Sequence, residues 1–379
     1  MDFELSDHHR EIQRTVHELC EREVKPQVRR RDESHEFPLS TVRQLGELGI
    51  MGMKVPEEYG GAGMDTLAAA VVVEEIARYD GSLALTVASH NGLGTAHLLG
   101  FGSERLKRRY LPDLASGRKL AAWGLTEAGS GSDAAGMRTT AVRRGDRWIL
   151  NGSKMFITQG TVGDVFVVLA LSSPEKRQKG ITAFLLEKGA KGFTQRQIGG
   201  MLGMRSSDTA ELHLEDVEVP DEHRIGAVDQ GFLDTLQVLD GGRIGIGALA
   251  LGLARGALED ARAYAQERTA FGKPIAEFQA IAFMLADMAT EISAARLLVQ
   301  RAAALADAGG RFGREAAMAK LFASEVAMRA ASKAIQIHGG YGYTTDYAVE
   351  RYFRDAKVCE IGEGTSQVQR MVIARDVLR

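Results

Sequence analysis

Apolar residues in this chain recur first with a helical period, then with a period of two, then with a helical period again. That double switch limits the fold to helical blocks on either side of a β block. In the first zone, up to about residue 120, Ile12, Val16, Leu19 and Val24 form one stripe. Asp65 to Arg78 reads as a helix that starts on a capping acid and stops before Asp80-Gly81. Pro56 to Gly63 carries too many breakers for a helix and separates two helical blocks. Between Leu120 and about Leu236, residues 147–150 and 154–158 read as strands around an Asn151-Gly152 hairpin turn, and 164–171 and 181–186 have strand length. Leu212, Leu214, Val217 and Val219 alternate with one slip of phase, which predicts a bulge near Glu215-Asp216 before Pro220 ends the strand. From about Leu236 the helical period returns, with Ile246, Leu249, Leu253 and Ala257 on one stripe and Met318, Phe322, Val326 and Ala330 on another. Gly245, Gly247, Gly252 and Gly256 predict close helix packing in that zone. The expectation is an α+β chain with a helical domain over 1–120, a β domain over 121–235 and a helical bundle over 236–379.

Composition narrows the function classes. The 379 residues are 45% hydrophobic, enough for a sizeable core, and the formal net charge is only -3 with short basic runs, which argues against nucleic acid as a partner. Cys20 and Cys359 are far apart and lack metal-type spacing, so no metal site or disulfide framework is expected and a reducing compartment fits best. Met1 to Arg10 has no apolar signal core, and no run of about 18 apolar residues occurs that would span a membrane. The expected location is a bacterial-type cytoplasm, or the mitochondrial matrix for a processed eukaryotic chain.

Individual motifs read ambiguously. Gly129 to Ala134 and Gly245 to Ala250 both match a dinucleotide pattern, but neither follows a strand into a helix within a parallel βαβ unit. The segment from Trp123 to Asp133 combines glycines, hydroxyls and an aromatic, which suits either a close approach to a flat anionic ligand or an ordinary Ser-rich turn. Phe156-Ile157-Thr158 at a strand end and Gln336 to Tyr343 at a helix end are equally open. Glu363, between Gly362 and Gly364, reads as a general base or as an acid serving the next helix, where Ser366 and Gln369 have capping-box spacing. His338 reads as a packed helix-end residue as readily as a catalyst.

Taken in order, PEEYGGAG (56–63), LTEAGSGSD (125–133), KMFIT (154–158), GMLGMRSSDTAEL (200–212), RTAFGKPIAEFQ (268–279), QIHGGYGYTTDYAVERYFRDAK (336–357) and EGTSQVQR (363–370) resemble the acyl-CoA dehydrogenase family over nearly the whole chain. The similarity is greatest to short-chain (butyryl) and short-branched-chain members. It implies an N-terminal helical domain, a middle β-barrel or sandwich and a C-terminal four-helix bundle, with FAD between the last two, in a homotetramer or at least a dimer. It assigns FAD contacts to Trp123, Leu125, Thr126, Gly131, Ser132, Phe156, Ile157 and Thr158. Arg268, Phe271, Gln279, Gln336, Ile337, Gly339 and Gly340 would reach the cofactor of a neighbouring subunit, and Thr365, Ser366 and Gln367 form another contact. Ser132, Asp240, Arg243 and Gly364 match substrate-contact positions.

The implied reaction is α,β-dehydrogenation of an acyl-CoA thioester to the trans-2-enoyl product. Glu363 takes the α-proton, hydride leaves the β-carbon for flavin N5, and electrons pass on to an electron-transferring flavoprotein. Some members carry the base at the position of Gly242 instead; a glycine there leaves Glu363 as the acid at a family position. Ala128 stands where Pro is usual, Gln159-Gly160 where Asn follows the Thr, and Gly362 where Tyr is frequent. The last change opens volume beside the base and suits a branched or bulkier acyl group. The competing readings are an oxidase or oxygenase on the same scaffold, separated by peroxide formation under air, and a non-catalytic FAD-binding member, separated by loss of the base or of Arg268.

Overall fold

Ser6 opens the first helix, its hydroxyl accepting from His9 N at 3.3 Å, and α1 (Asp7–Leu19) carries the stripe expected from Ile12 onward. From Leu19 to Val24 the apolar spacing is five residues, and the backbone widens into a π turn over Cys20–Val24 with Val24 buried. The coordinates are a computed structural model that describes residues 5–379; within the Met1 to Arg10 stretch, positions 1–4 lie outside the described residues. The chain continues through α2 (Val28–Ser34), α3 (Leu39–Glu47), α4 (Thr66–Ala77), α5 (Gly81–Ser89), α6 (Ala96–Phe101) and α7 (Glu104–Ala115). Asp65 caps α4 by accepting from Ala68 N at 2.7 Å, and Pro56 to Gly63 forms a loop with one 3-10 turn. A second π turn, His90–Thr95, joins α5 to α6.

The β zone comprises β1 (Ala121–Gly124), β2 (Thr140–Arg144), β3 (Arg147–Thr158), β4 (Val165–Leu171), β5 (Ile181–Glu187), β6 (Phe193–Gln197), β7 (Thr209–Pro220) and β8 (Arg224–Ile225). Their order is β6-β7-β3-β2-β4-β5-β8, with β1 alongside β4. The path crosses from β2 to β4 through the single Thr140/Leu171 pairing, so the sheet folds back on itself there. Ring contacts across the fold show it: Phe166 meets Phe193 at 4.9 Å and Trp148 meets Phe184 at 5.3 Å. The two halves enclose a sandwich core that includes Ala141, Leu150, Val168 and Leu212.

The hairpin turn expected at Asn151-Gly152 is absent. β3 runs straight through both residues, and the chain reverses at Gly145-Asp146, where Gly145 has φ 65°. Asn-Gly signals a need for unusual backbone angles, and a bulge meets that need as well as a turn does. Pairing with β7 jumps from Leu150/Val217 to Gly152/Leu214, leaving Glu215 and Asp216 opposite Asn151, with Asp216 at φ 49°. The Asn151 amide donates to Asp216 Oδ1 at 3.0 Å, and its oxygen accepts from Asp216 N at 2.9 Å. A Cβ on Gly152, at φ 147°, would lie 2.5 Å from Thr139 Oγ1. The bulge expected near Glu215-Asp216 is therefore present, and Pro220 closes the strand.

After Gly231 the chain is helical: α8 (Gly231–Glu267), α9 (Gln279–Asp307), α10 (Gly313–His338), α11 (Val349–Cys359) and α12 (Ser366–Val377), with a small hairpin, β9 (Thr269–Ala270) and β10 (Lys273–Pro274), between α8 and α9. α8 is long and apolar enough to cross a membrane by length and composition, yet 67% of its most apolar 18-residue window is buried inside the protein. Ile246, Leu249, Leu253 and Ala257 face the core as expected. On α10 the second half of the expected stripe, Val326 and Ala330, is buried, whereas Met318 and Phe322 are half-buried and the neighbouring Ala319 and Ala323 take the inward positions. Small residues face inward because α8 lies close; a Cβ on Gly247 would sit 3.6 Å from the backbone of Ala319.

Gly252 shows how tight that packing is. A Cβ there would collide with the Glu74 carbonyl of α4 and come within 2.6 Å of Ala77 Cβ, whereas one on Gly245 meets only Ala88 Cβ at 3.7 Å. Replacing a helix glycine by alanine gains about 1 kcal/mol in propensity, while overpacking costs about 1–3 kcal/mol. Gly252→Ala should therefore lower Tm and Gly245→Ala should hold or raise it; thermal unfolding of the two variants checks the difference.

Candidate active site

α11 ends at Cys359, and the chain must turn sharply to begin α12. It does so through Glu363 at φ 52° and Gly364 at φ 97°. Glycine adopts such angles freely; for Glu363 they are strained by about 1–3 kcal/mol and need outside support. That support comes from side chains that read as unremarkable in the sequence. Gln369 Nε2 donates to the carbonyls of Glu363 and Gly364 at 3.2 and 3.0 Å, and Lys320 Nζ, from α10, donates to Gly364 O at 2.6 Å. The expected capping box is displaced by one residue: Thr365, not Ser366, caps α12 by accepting from Val368 N at 3.2 Å, and Gln369 is committed to the corner. A Ser-Thr pair before a helix leaves its phase undetermined until the preceding turn is known.

The corner aims the Glu363 carboxylate at α8. A Cβ on Gly242 would collide with Glu363 Oε2 and lie 3.1 Å from Leu93 Cδ2, on the His90–Thr95 π turn. Glu363 Oε2 is shielded from solvent and has no hydrogen-bond partner among the described residues. Burial pushes this carboxyl up to about 7, against the pull of Lys320 and Arg243 toward the charged form. On α8 around Gly242, Asp240 Oδ1 accepts from buried Arg243 at 2.5 Å. Gly362, next to Glu363 in sequence, has room for a side chain, since a Cβ there would meet only Val358 O at 3.4 Å.

The second group of sequence-selected residues gathers at the end of the β sandwich. Trp123 and Leu125 are buried, and Trp123 Nε1 donates to His97 at 3.1 Å. Met155 N donates to Thr126 O at 2.8 Å, which joins the loop to the β3 end carrying Phe156, Ile157 and Thr158. Phe156 has φ 58° and is 59% exposed, a large ring turned to the surface, whereas Ile157 packs inward. Gly131 and Ser132 lie exposed at the loop tip, where a Cβ on Gly129 or Gly131 would meet nothing within 4 Å. Lys154, fully buried, donates to Glu127 at 2.8 Å and to Leu125 O at 3.2 Å, and Glu127 also accepts from Thr139 N at 3.0 Å. Burial holds Lys154 down to about 8 while Glu127 keeps it charged. Gln159, where Asn is usual, turns inward at φ 61° and donates to Thr86 O at 3.1 Å, tying the sandwich to α5.

A third group lies at the far end of α8. Arg268, Ile337, Gly339 and Gly340 line a cavity of about 500 Å³ with Tyr264 and Tyr341. Gln279 and Gln336 are exposed nearby in sequence, Phe271 is 96% exposed, and Arg268 stacks over Tyr341 at 5.6 Å. His338 is a packing residue here, its Nδ1 against Ala334 O at 2.8 Å and its ring on Tyr264 at 4.2 Å. At about 1.5 Å per residue, Arg268 is about 40 Å along the helix from Gly242, so one chain does not bring this group to Glu363.

A carboxylate with a solvent-shielded oxygen, a raised proton affinity and a gap in the facing helix is suited to taking a proton from a bound substrate. Three family models cover the chain: the acyl-CoA dehydrogenase N-terminal domain over residues 6–118, the middle domain over 122–217 and the C-terminal domain over 229–378. The chain belongs to the acyl-CoA dehydrogenase family. It is 46% identical, over the full length of both, to the short-chain specific acyl-CoA dehydrogenase of Clostridium acetobutylicum. Butyryl-CoA dehydrogenase from Megasphaera elsdenii superposes on it with a TM-score of 0.98 at 43% identity, both chains wholly covered. A chain from work on the electron transferring flavoprotein of Acidaminococcus fermentans and flavin-based electron bifurcation matches at TM-score 0.99 and 46% identity, again wholly covered.

The enzyme therefore carries out acyl-CoA dehydrogenation, and its cofactor is FAD. The residues present fit that cofactor. The exposed Phe156 ring beside the Thr126 and Thr158 hydroxyls suits a flat ring with polar edges, and α12 offers a helix N-terminus with a buried Ser366 hydroxyl that has no partner among the described residues. Lys154, Glu127, Lys320 and Gln369 escaped the sequence reading of the site. For Lys154 in β3 and Lys320 in α10, a charged residue among apolar neighbours was the signal available; the loop residue Glu127 and the neutral Gln369 carried no such signal.

The Lys154–Glu127 pair holds the loop by charge inside the protein, so removing one partner strands the other. Glu127→Ala should cost about 3–5 kcal/mol and lower FAD retention; Tm and the flavin-to-protein absorbance ratio after gel filtration report both.

Proposed function

We propose that Glu363 is the base that removes the α-proton from a short straight-chain or branched acyl-CoA thioester. The observation that carries this is the Glu363 carboxylate itself, placed in the space a side chain at position 242 would fill, with one oxygen unpartnered among the described residues and its proton affinity raised to about 7 by burial. A carboxylate raised to this range binds a carbon-bound proton far more effectively than one in water. Family members with the base at the position of Gly242 would reach the same point from the opposite wall, which explains why a glycine belongs there when Glu363 is present. Bound FAD supplies the hydride acceptor. The chain's own task is to hold the thioester with its α-carbon toward Glu363 and to keep water out. The walls available for this are Leu93, Gly242 and the Asp240–Arg243 pair.

The open volume beside Gly362 supports a branched or bulkier acyl group, and the likeness to the short-chain specific enzyme supports a short one. Electron-transferring flavoprotein is the proposed acceptor, supported by the match to the Acidaminococcus fermentans chain. A second copy of the chain is proposed to bring Arg268, Gln279 and the Gln336 to Gly340 segment to each flavin. The support is their separation from Glu363 and the exposure of Phe271 (96%) and Tyr343 (91%) around them.

Glu363→Gln should retain FAD but slow its anaerobic bleaching by substrate by roughly two to four orders of magnitude; rapid bleaching removes Glu363 from the role. Because the base must be deprotonated, kcat/KM should fall as pH drops through about 7 in the free enzyme. A profile flat down to pH 5 contradicts the assignment. Across a panel of acyl-CoAs, isobutyryl- or 2-methylbutyryl-CoA should bleach at least as fast as butyryl- or hexanoyl-CoA if Gly362 widens the pocket. Light scattering should give a homotetramer, or at least a dimer.

A further inference from the structure

Lys320 lies about two turns into α10, 0% exposed, among Ala316, Ala317, Ala319 and Ala323. A lysine so placed is costly unless its ammonium has partners, since an unpaired buried charge costs several kcal/mol. Its hydrogen bond is to the carbonyl of Gly364, at 2.6 Å. That carbonyl belongs to the left-handed corner that carries Glu363, and the second donor to it, Gln369 Nε2, comes from α12 at 3.0 Å. The corner is thus clamped between two helices, from opposite sides in sequence.

The charges around Lys320 explain what it adds beyond a hydrogen bond. It faces Arg243 on α8, Cys359 and Glu360 at the end of α11, and Glu363 in the corner; Gln369 on α12 is neutral. Asp240 pairs with Arg243 at 2.5 Å, and Lys357 pairs with Glu360 at 2.5 Å. Those two pairings leave Glu363 as the anion whose charge Lys320 balances. We propose that Lys320 is a positioning residue for the base, anchoring the Gly364 carbonyl so that the strained corner keeps the Glu363 carboxylate at Gly242, and supplying the buried positive charge that keeps it ionised. Burial lowers Lys320 to about 8, so the ammonium persists at neutral pH. It also faces Glu363 strongly enough to pull the carboxyl back toward the charged form, with Arg243 as the other cation acting on it.

This role rests on Glu363 being the base, and the test separates the two claims. Lys320→Met fills the same volume without charge or donor. In the FAD-loaded enzyme it should keep KM within about twofold, lower kcat at pH 7 by about ten- to a hundredfold through misplacement, and move the acid limb of kcat/KM up by about one pH unit, because Glu363 loses an opposite charge. Lys320→Arg keeps the charge but shifts the donor, so it should lower kcat while leaving the limb where the wild type has it. A residue that merely packs the bundle would lower Tm or FAD content in both variants and leave the limb unmoved. An unmoved limb in Lys320→Met overturns the proposal, and if that variant does not fold, a limb that moves in Lys320→Arg does so. Glu363→Gln, run alongside, tests the base: if it still bleaches flavin, the assignment of Glu363 fails, whereas an inactive Glu363→Gln with an unmoved Lys320→Met limb rejects the Lys320 role alone.

Discussion

Glu363 and the missing side chain of Gly242 compete for one small volume, and much of the C-terminal half is arranged around that competition. For the carboxylate to stand there, α8 must pass close to the end of α11, the helix must lack a Cβ at that level, and the chain after α11 must turn through two residues with positive φ. Helices that approach this closely need small residues at the contact. The glycines of α8 and the alanines of α10 provide them, and the larger Met318 and Phe322 are displaced to a half-buried position.

Buried charge serves a consistent purpose in this protein. Lys154 and Glu127 tie β3, which carries Phe156, to the loop of Thr126, Lys320 holds the corner of Glu363, and Asp355 in α11 accepts from Met204 N at 2.6 Å to seat the loop before β7. Each couples a loop to a regular element across a domain or layer. Apolar residues in the same places would stabilise the fold at least as well, since desolvation consumes most of what an ion pair gains. A directed hydrogen bond, unlike an apolar contact, settles where a loop carbonyl or amide must sit. That is the need of a site whose reacting groups lie on turns.

α8 also acts as a ruler. Its N-terminal half carries Asp240, Gly242 and Arg243 next to the base, while its C-terminal end delivers Arg268 to a cavity about 40 Å away. The residues that the resemblance assigns to a neighbouring subunit's cofactor thus stand at the far end of a rod from the base. The Glu363 end holds the solvent-shielded carboxylate oxygen and, directly after the corner, the Thr365-capped start of α12.

Period alone was enough to place helical, β and helical zones along this chain, because amphipathic spacing is a property of neighbours in sequence. The capping of α4, the bulge opposite Asn151 and the end of β7 at Pro220 were legible for the same reason. The Asn151-Gly152 turn and the Ser366 cap were misplaced, since both signals specify a backbone angle or a hydroxyl and leave to the partner strand or the preceding turn where it is used. Glu363 could be named from its motif. Its proton affinity could not be, because that depends on desolvation by α8 and on Lys320 and Arg243, which come from distant parts of the chain. Charges buried by tertiary packing interact through space, and a linear sequence carries no distance between them.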